Sequence, residues 1–288
     1  MKIARFDGGR IGVVVGDAIV DVSAACGVDP GEWPPVGINR VIAQFAVKRA
    51  AIAAAAQAGR AVPLASVHLE TPVPWPNKLL AMPNNFAAHS AEMKTNGLGN
   101  GSANSLGPAE AGFFMKSNAS MTGANEPIVL PDRPGRQFHY ECELATIVGK
   151  GGKDISAAAA LDHVFGYACL IDVTMRGTGE RVMRKSFDSF TPVGPWITTS
   201  DEVGAPDDLD LRLWLNGELR QQAVARDMVV GIREQIEMCS AVTRLEPGDI
   251  IASGTMAGVG ALAPGDTVTI EIARVGRMEL RVTAPVLV

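Results

Sequence analysis

The stretch FHYECELATIVGK, residues 138–150, places Glu141 and Glu143 one residue apart at the head of an apolar run. In a β-strand, residues two apart share a face. Glu141 and Glu143 are then neighbours on one side, with Tyr140, Cys142 and Leu144 on the other. The run LATIVG continues without another charge, so the strand is at least half buried. Two carboxylates held this close resist joint ionisation unless a cation lies between them. A solvated strand edge could also carry two acids, but it would not keep such apolar company. A third acid, Asp172, ends the similar run FGYACLIDVT, where it is either a turn former or a partner of the glutamates. Three carboxylates form an oxygen-only donor set, which suits Mg²⁺, Mn²⁺ or Ca²⁺ and not zinc. His139 shares the parity of the glutamates and is read as a further ligand or as a structural neighbour.

The chain has 288 residues, enough for one large domain with a small appendage. With 47% hydrophobic residues it can build a substantial core. Its net charge of −5 argues against nucleic acid or an anionic membrane as the main partner. An acidic small molecule remains possible where the site supplies a local cation. Cys26, Cys142, Cys169 and Cys239 form no C-x-x-C pair and read as buried small hydrophobes in a reducing compartment. The opening MKIARFDGG lacks the apolar run of a secretory signal, and the Ala-rich 41–56 stretch is too short to span a bilayer. The expectation is a cytoplasmic protein.

Residues 1–71 read as a small N-terminal domain. KIARF and IGVVVGDAIVDV are short strands separated by turns, and 39–59 reads as an Ala-rich helix. The prolines of TPVPWPNK mark a boundary near residue 72. The catalytic part, 72–288, carries many β-prone runs, with helices expected at Ser156–Val164 and Val230–Thr243. Strands outnumber helices and turn signals are frequent, which favours a β-rich α+β domain of rolled or barrel-like sheets over a doubly wound fold. The Gly/Asn/Ser-rich segment within 94–112 reads as a lid or as a tolerated insertion.

Four stretches in order, YECELATIVGK, GYACLIDVTMR, RKSFDSFTPVGPWITT and GDIIASGTMAGVG, resemble the fumarylacetoacetate hydrolase family from about Pro83 onward. The resemblance implies the family's mixed β-roll, usually homodimeric, with Glu141, Glu143 and Asp172 holding Mg²⁺ or Mn²⁺. NNFAAHSAE is similar to the family's N-Y-x-x-H-x-x-E stretch, which implies that His89 and Glu92 activate a water. It also implies that Lys185 stabilises an enolate, that Thr255 and Gly254 contact substrate, and that Arg176 does so as well. Asp188 reads as structural. The chain departs from the pattern at Phe86, Ala87, Gly177, Gly179 and Met256, so the far end of the substrate is expected to be read differently.

The implied activity is hydrolysis of a C–C bond in a β-diketo acid of the acylpyruvate or fumarylpyruvate type. Oxaloacetate decarboxylation, hydroxymuconate isomerisation and keto-acid hydration would use the same stabilised enolate. A non-catalytic keto-acid-binding relative is the alternative outside enzymology.

Overall fold

The computed structural model describes residues 1–95 and 106–285. The glycine-rich stretch read as a lid lies mostly outside them.

Most strands belong to one long sheet. From one edge it runs through Ala61–Pro63, Ala18–Asp21, Arg10–Val15, Lys2–Phe6, Thr191–Thr199 and Val164–Ile171. It continues through Cys142–Val148, Ile250–Ala252, Leu79–Ala81 and Phe114–Met115. Along this path the pairings are antiparallel, except that Ile250–Ala252 lies parallel to Leu79–Ala81. A second sheet contains Glu218–Val224, Asp210–Leu215, Thr267–Ile272, Gly276–Thr283 and Ile128–Val129. A third joins Thr174–Met175, Phe138–Tyr140 and Gly260–Ala261. The α+β, strand-dominated class expected from turn frequency is what the chain adopts.

The long sheet is buried on both faces, which is why its central strands read as unbroken apolar runs and not as alternating ones. Cys142, Leu144, Tyr167, Cys169 and Ile171 share a core with Leu211, Leu213, Ile270 and Leu280 of the second sheet. Ala145, Ile147, Phe165, Ala168 and Leu170 share another with Ile38, Val41, Ile42 and Ile52 of the N-terminal helices. Phe45 meets Phe165 edge-on with ring centroids 5.0 Å apart. The N-terminal strands extend the same sheet, since Lys2 and Ile3 pair with Thr198 and Ile197.

Two helix expectations change in detail. The 39–59 helix is two helices, Gly37–Ala43 and Phe45–Ala58, interrupted at Gln44. Ser156–Val164 is not an α-helix. It contains a 3₁₀ turn at Ala160–His163, preceded by i→i+3 bonds such as Ala159 N–H to Ser156 O at 3.0 Å. The chain must re-enter the sheet at Val164, which leaves no room for the turns a stable α-helix needs. The helix expected at Val230–Thr243 spans Ile232–Val242.

A buried ion pair fixes the parallel junction beneath the 253–258 loop. Lys78 Nζ lies 2.7 Å from Asp249 Oδ2. The Asp249 carboxylate also accepts the backbone N–H of Lys78 at 2.8 Å and of Glu246 at 2.7 Å. Asp249→Ala strands a buried ammonium and two backbone N–H donors. A loss of about 3–5 kcal/mol is expected, read as a lowered denaturant midpoint at unchanged slope.

Candidate metal centre and active site

Glu141 occupies the single-residue gap between the strands Phe138–Tyr140 and Cys142–Val148. Asp172 follows directly on Val164–Ile171, and its N–H donates to Glu141 O at 2.9 Å. Both acids therefore sit where the chain crosses from the long sheet into the small one. Glu143 lies opposite Leu170 in the ladder Cys142↔Ile171, Glu143↔Leu170. By strand alternation Glu143 shares the face of Ala145 and Ile147, and Asp172 that of Ala168 and Leu170. The helix-covered core thus runs out into Glu143 and Asp172, and Glu141, in the break between two strands, joins them. Their ligand oxygens lie within 4.8 Å of one another, and all three residues are buried.

Such a cluster needs positive charge. Lys185 Nζ bridges Glu141 Oε2 at 2.7 Å and Asp172 Oδ2 at 2.5 Å. Arg176 Nη2 reaches Glu141 Oε1 at 2.8 Å. Lys116, fully enclosed, pairs with Asp172 Oδ1 and donates to Phe190 O at 3.0 Å. Burial alone would raise the Glu141 carboxyl, but Lys185 and Arg176 outweigh it and hold Glu141 well below the usual carboxylate range. Among the described residues no ion pair joins Glu143 to a cation, and Glu143 Oε2 accepts the Gly254 N–H at 2.9 Å. Burial, with Asp172 beside it, pushes its carboxyl well above the usual range. Burial likewise lowers Lys116, despite Asp172. Burial would also lower Lys185, but Asp172 and Glu141 raise it. An oxygen-only cluster with one carboxylate lacking a counter-charge fits a hard divalent cation. Glu141, Glu143 and Asp172 are the residues that would hold it.

His89 lies on the helix Ala87–Thr95, with its Nδ1 3.4 Å from Glu92 Oε2. The i,i+3 spacing puts both on one helix face. Glu92 is held in turn by the Gly258 N–H, at 3.0 Å to Oε1 and 3.2 Å to Oε2. With Nδ1 turned to Glu92, Nε2 is the ring nitrogen left for the cleft that His89 lines together with Glu141, Glu143, Lys185 and Thr255. Burial lowers the His89 pKa, opposed by Glu141. Asn85 fastens the chain ahead of this helix. Its Nδ2 donates to Val230 O at 2.9 Å and to Ser253 O at 2.8 Å.

Thr255 Oγ1 lines the cleft and accepts a hydrogen bond from Gln221 Nε2 at 2.9 Å. Gln221 Oε1 meanwhile accepts the Cys142 N–H at 2.9 Å, so one buried amide ties the Thr255 loop to the glutamate strand. Gly254 and Gly258 have φ of +81° and +99°. A Cβ on Gly254 would lie 2.7 Å from Asn85 Cβ, and one on Gly258 would lie 2.0 Å from Arg220 O. Close approach to neighbouring chain, with an N–H aimed at Glu143 or Glu92, accounts for both glycines.

His139 lies outside the carboxylate cluster. Its Nε2 is 3.4 Å from Gln137 Oε1, and burial, helped by Arg176, pushes it down to about 4. Phe86 is a core residue and Asp188 is exposed. Sequence reasoning did not single out Lys116, Gln221, Arg181 or Arg184. Lys116 was legible only as the end of the β-prone run GFFMK, and Gln221, one of two adjacent glutamines, lies just beyond the β-prone run LRLWLNGEL.

A family profile described as fumarylacetoacetate (FAA) hydrolase C-terminal matches residues 78–283. Maleylpyruvate hydrolase from Aquipseudomonas alcaligenes is 39% identical over 285 residues, covering 98% of this chain and 99% of that protein. Oxaloacetate tautomerase from Bacillus subtilis is 36% identical over 227 residues, covering 75% of this chain and 73% of that protein. The crystal structure of maleylpyruvate hydrolase from Sphingobium sp. SYK-6, in complex with manganese(II) and pyruvate, superposes with a TM-score of 0.89. It shares 46% identity and covers 99% of this chain and 100% of that one. With a matched segment that spans most of the catalytic part and a relative alike over nearly its whole length, the chain belongs to the fumarylacetoacetate hydrolase family.

Proposed function

We propose that this protein is a divalent-metal-dependent hydrolase that cleaves the C–C bond between the two carbonyl-bearing halves of a β-diketo acid, of the acylpyruvate, fumarylpyruvate or maleylpyruvate type. The observation that carries this reading is a His–Glu pair in the same cleft as a buried three-carboxylate cluster. Stabilising an enolate needs only the cluster and its cations. Adding water to a carbonyl also needs a base, and His89 with Glu92 supplies one. The complex of the Sphingobium maleylpyruvate hydrolase with manganese(II) and pyruvate supports Mn²⁺ or Mg²⁺ here and a pyruvate-like product.

Mg²⁺ or Mn²⁺ held by Glu141, Glu143 and Asp172 would polarise the keto-acid oxygens and offset charge that develops on them. His89 Nε2 takes a proton from water while Glu92 fixes the ring tautomer and steadies its charged form. The hydroxide adds to the distal carbonyl carbon, and the bond from that carbon to the methylene breaks. The electron pair passes to the pyruvate half as its enolate, whose oxygen Lys185 faces as a cation. A proton returns to the methylene carbon, giving pyruvate and a carboxylic acid from one diketo acid and one water. Thr255 and Arg176 orient the keto-acid end.

Oxaloacetate tautomerisation or decarboxylation would use the enolate-stabilising half of this site without the activated water. The tautomerase relative favours keeping that reading in the assay. Residues 1–71 are taken as an N-terminal domain packed on the catalytic part. A cytoplasmic homodimer rests on the family resemblance, and among the described residues no helix is long and apolar enough to cross a membrane.

The test is a steady-state assay of metal-stripped protein resupplied with Mg²⁺ or Mn²⁺. Loss of the enol absorbance of acetylpyruvate and fumarylpyruvate is followed, with oxaloacetate in parallel. Metal-restored release of pyruvate from either diketo acid is expected. Turnover of oxaloacetate alone would replace hydrolysis by the tautomerase or decarboxylase reading. Glu143→Ala should abolish metal binding in calorimetry. His89→Ala should keep metal binding but lower kcat by about 10²–10⁴-fold. The base must be neutral to act, and burial lowers its pKa, so the acidic limb of kcat/KM should fall below the ordinary histidine value of 6.5. A limb at or above that value would remove His89 from the role.

A further inference from the structure

Gln221 comes from the strand Glu218–Val224, whose residues are mostly exposed, yet it is 1% exposed itself. It pairs with the core residue Leu213 and so shares that residue's inward face. Its amide is held by groups that permit a single orientation. Oε1 accepts the Cys142 N–H at 2.9 Å, and a backbone N–H can only donate. Nε2 donates to the Met256 carbonyl at 2.8 Å, and a carbonyl can only accept. The second Nε2 hydrogen goes to Thr255 Oγ1, at 2.9 Å. Turning the amide over would break all of these contacts.

This arrangement sets the polarity of Thr255. A hydroxyl has one hydrogen and can otherwise give or take a hydrogen bond. The Thr255 oxygen already accepts from Gln221. Among the described residues its O–H meets only the Met256 sulfur, at 3.8 Å, and a thioether is a weak acceptor. Thr255 lines the cleft together with Glu141, Glu143 and Lys185, so its hydrogen is left for a ligand bound there. A donor aimed in advance need not reorient as charge develops on the oxygen it faces. The same amide is braced on Cys142, between the two glutamates, so the donor and the carboxylates are held in one frame.

We propose that Gln221 is a positioning residue for the substrate: it commits the Thr255 hydroxyl as a donor toward the cleft, so that this point of the site takes an oxygen acceptor and rejects an N–H or O–H group. This rests on the keto-acid reading of the cleft and adds which residue sets the polarity of one of its contacts. Gln221 itself stays behind Thr255 and does not line the cleft.

The test is a double-mutant cycle on the full-length protein, read as oxalate binding in calorimetry at saturating Mg²⁺. Oxalate is a planar, uncleavable chelator whose polar atoms are all acceptors, and it stands in for the pyruvate half. Thr255→Val should weaken oxalate by about tenfold or more, with Mg²⁺ affinity kept within about twofold. Gln221→Met should weaken oxalate by about fivefold while the hydroxyl is present, and by less than about twofold in the Thr255→Val background. Gln221→Glu keeps an acceptor for Cys142 and takes the place of Gln221→Met in the cycle if that variant does not fold. Equal losses in the two backgrounds would overturn the proposal and leave Gln221 a brace between loop and strand. Oxalate binding unchanged by Gln221→Met would overturn it as well. Pyruvate release from acetylpyruvate by wild type judges the hydrolase reading separately. Coupling without cleavage would keep the role of Gln221 and remove the hydrolase, whereas cleavage without coupling would remove only the role of Gln221.

Discussion

The site depends on a repulsion. Glu141, Glu143 and Asp172 are brought within 4.8 Å of one another inside the protein, where like charges are least tolerated. Everything around them answers that problem. Lys185 bridges two of the carboxylates, Lys116 closes on Asp172 from the enclosed side, and Arg176 holds the other oxygen of Glu141. Among the described residues Glu143 is the member of the three that forms no ion pair, and it accepts a backbone N–H. That leaves the cluster incomplete in a way that a divalent ion corrects. The two sheets meeting at Glu141 and Asp172 hold the acids in place through backbone pairing, so side-chain repulsion cannot simply push them apart.

The supporting groups form one connected assembly. Asp249 and Lys78 lock the parallel junction below the 253–258 loop. Asn85 ties the approach to His89 onto Ser253, and Gln221 ties Thr255 and Met256 to Cys142. Gly258 then holds Glu92. His89, the carboxylates and Thr255 are therefore positioned by the same loop, so a disturbance at one anchor reaches all three.

Much of this was legible from pattern. The E-x-E spacing in an apolar run pointed to buried carboxylates, whereas Asp172 at the end of a similar run read equally as a turn former until the family resemblance joined it to the glutamates. The strand count and the β-rich class followed from turn residues. What could not be read was partnership across distance. Lys116 ends an ordinary short strand, and only the fold brings it to Asp172, 56 residues away in sequence. Gln221 lies in a strand of mostly exposed residues, yet it is 1% exposed itself. The parity of His139 suggested a ligand, but the strand breaks at Glu141, so alternation cannot be carried across that residue. Ala-rich sequence over-predicted helix at 156–164 because propensity there yields to the demand of the following strand.

The pleat of the glutamate strand also sorts ligands by hardness. Cys142 stands between Glu141 and Glu143 but faces the opposite core, as does Cys169 on the neighbouring strand. Burial raises the Cys142 thiol well above its ordinary value and pushes Cys169 up to about 12. Both sulfurs are therefore protonated, and a protonated thiol is a poor ligand. Two soft donors, Cys142 next to both glutamates and Cys169 three residues before Asp172, lie close to the carboxylate cluster yet are kept from it by the side of the sheet they occupy. Exchange of Mg²⁺ or Mn²⁺ for a thiophilic metal would have to proceed on oxygen ligands alone, where such metals hold their smallest advantage.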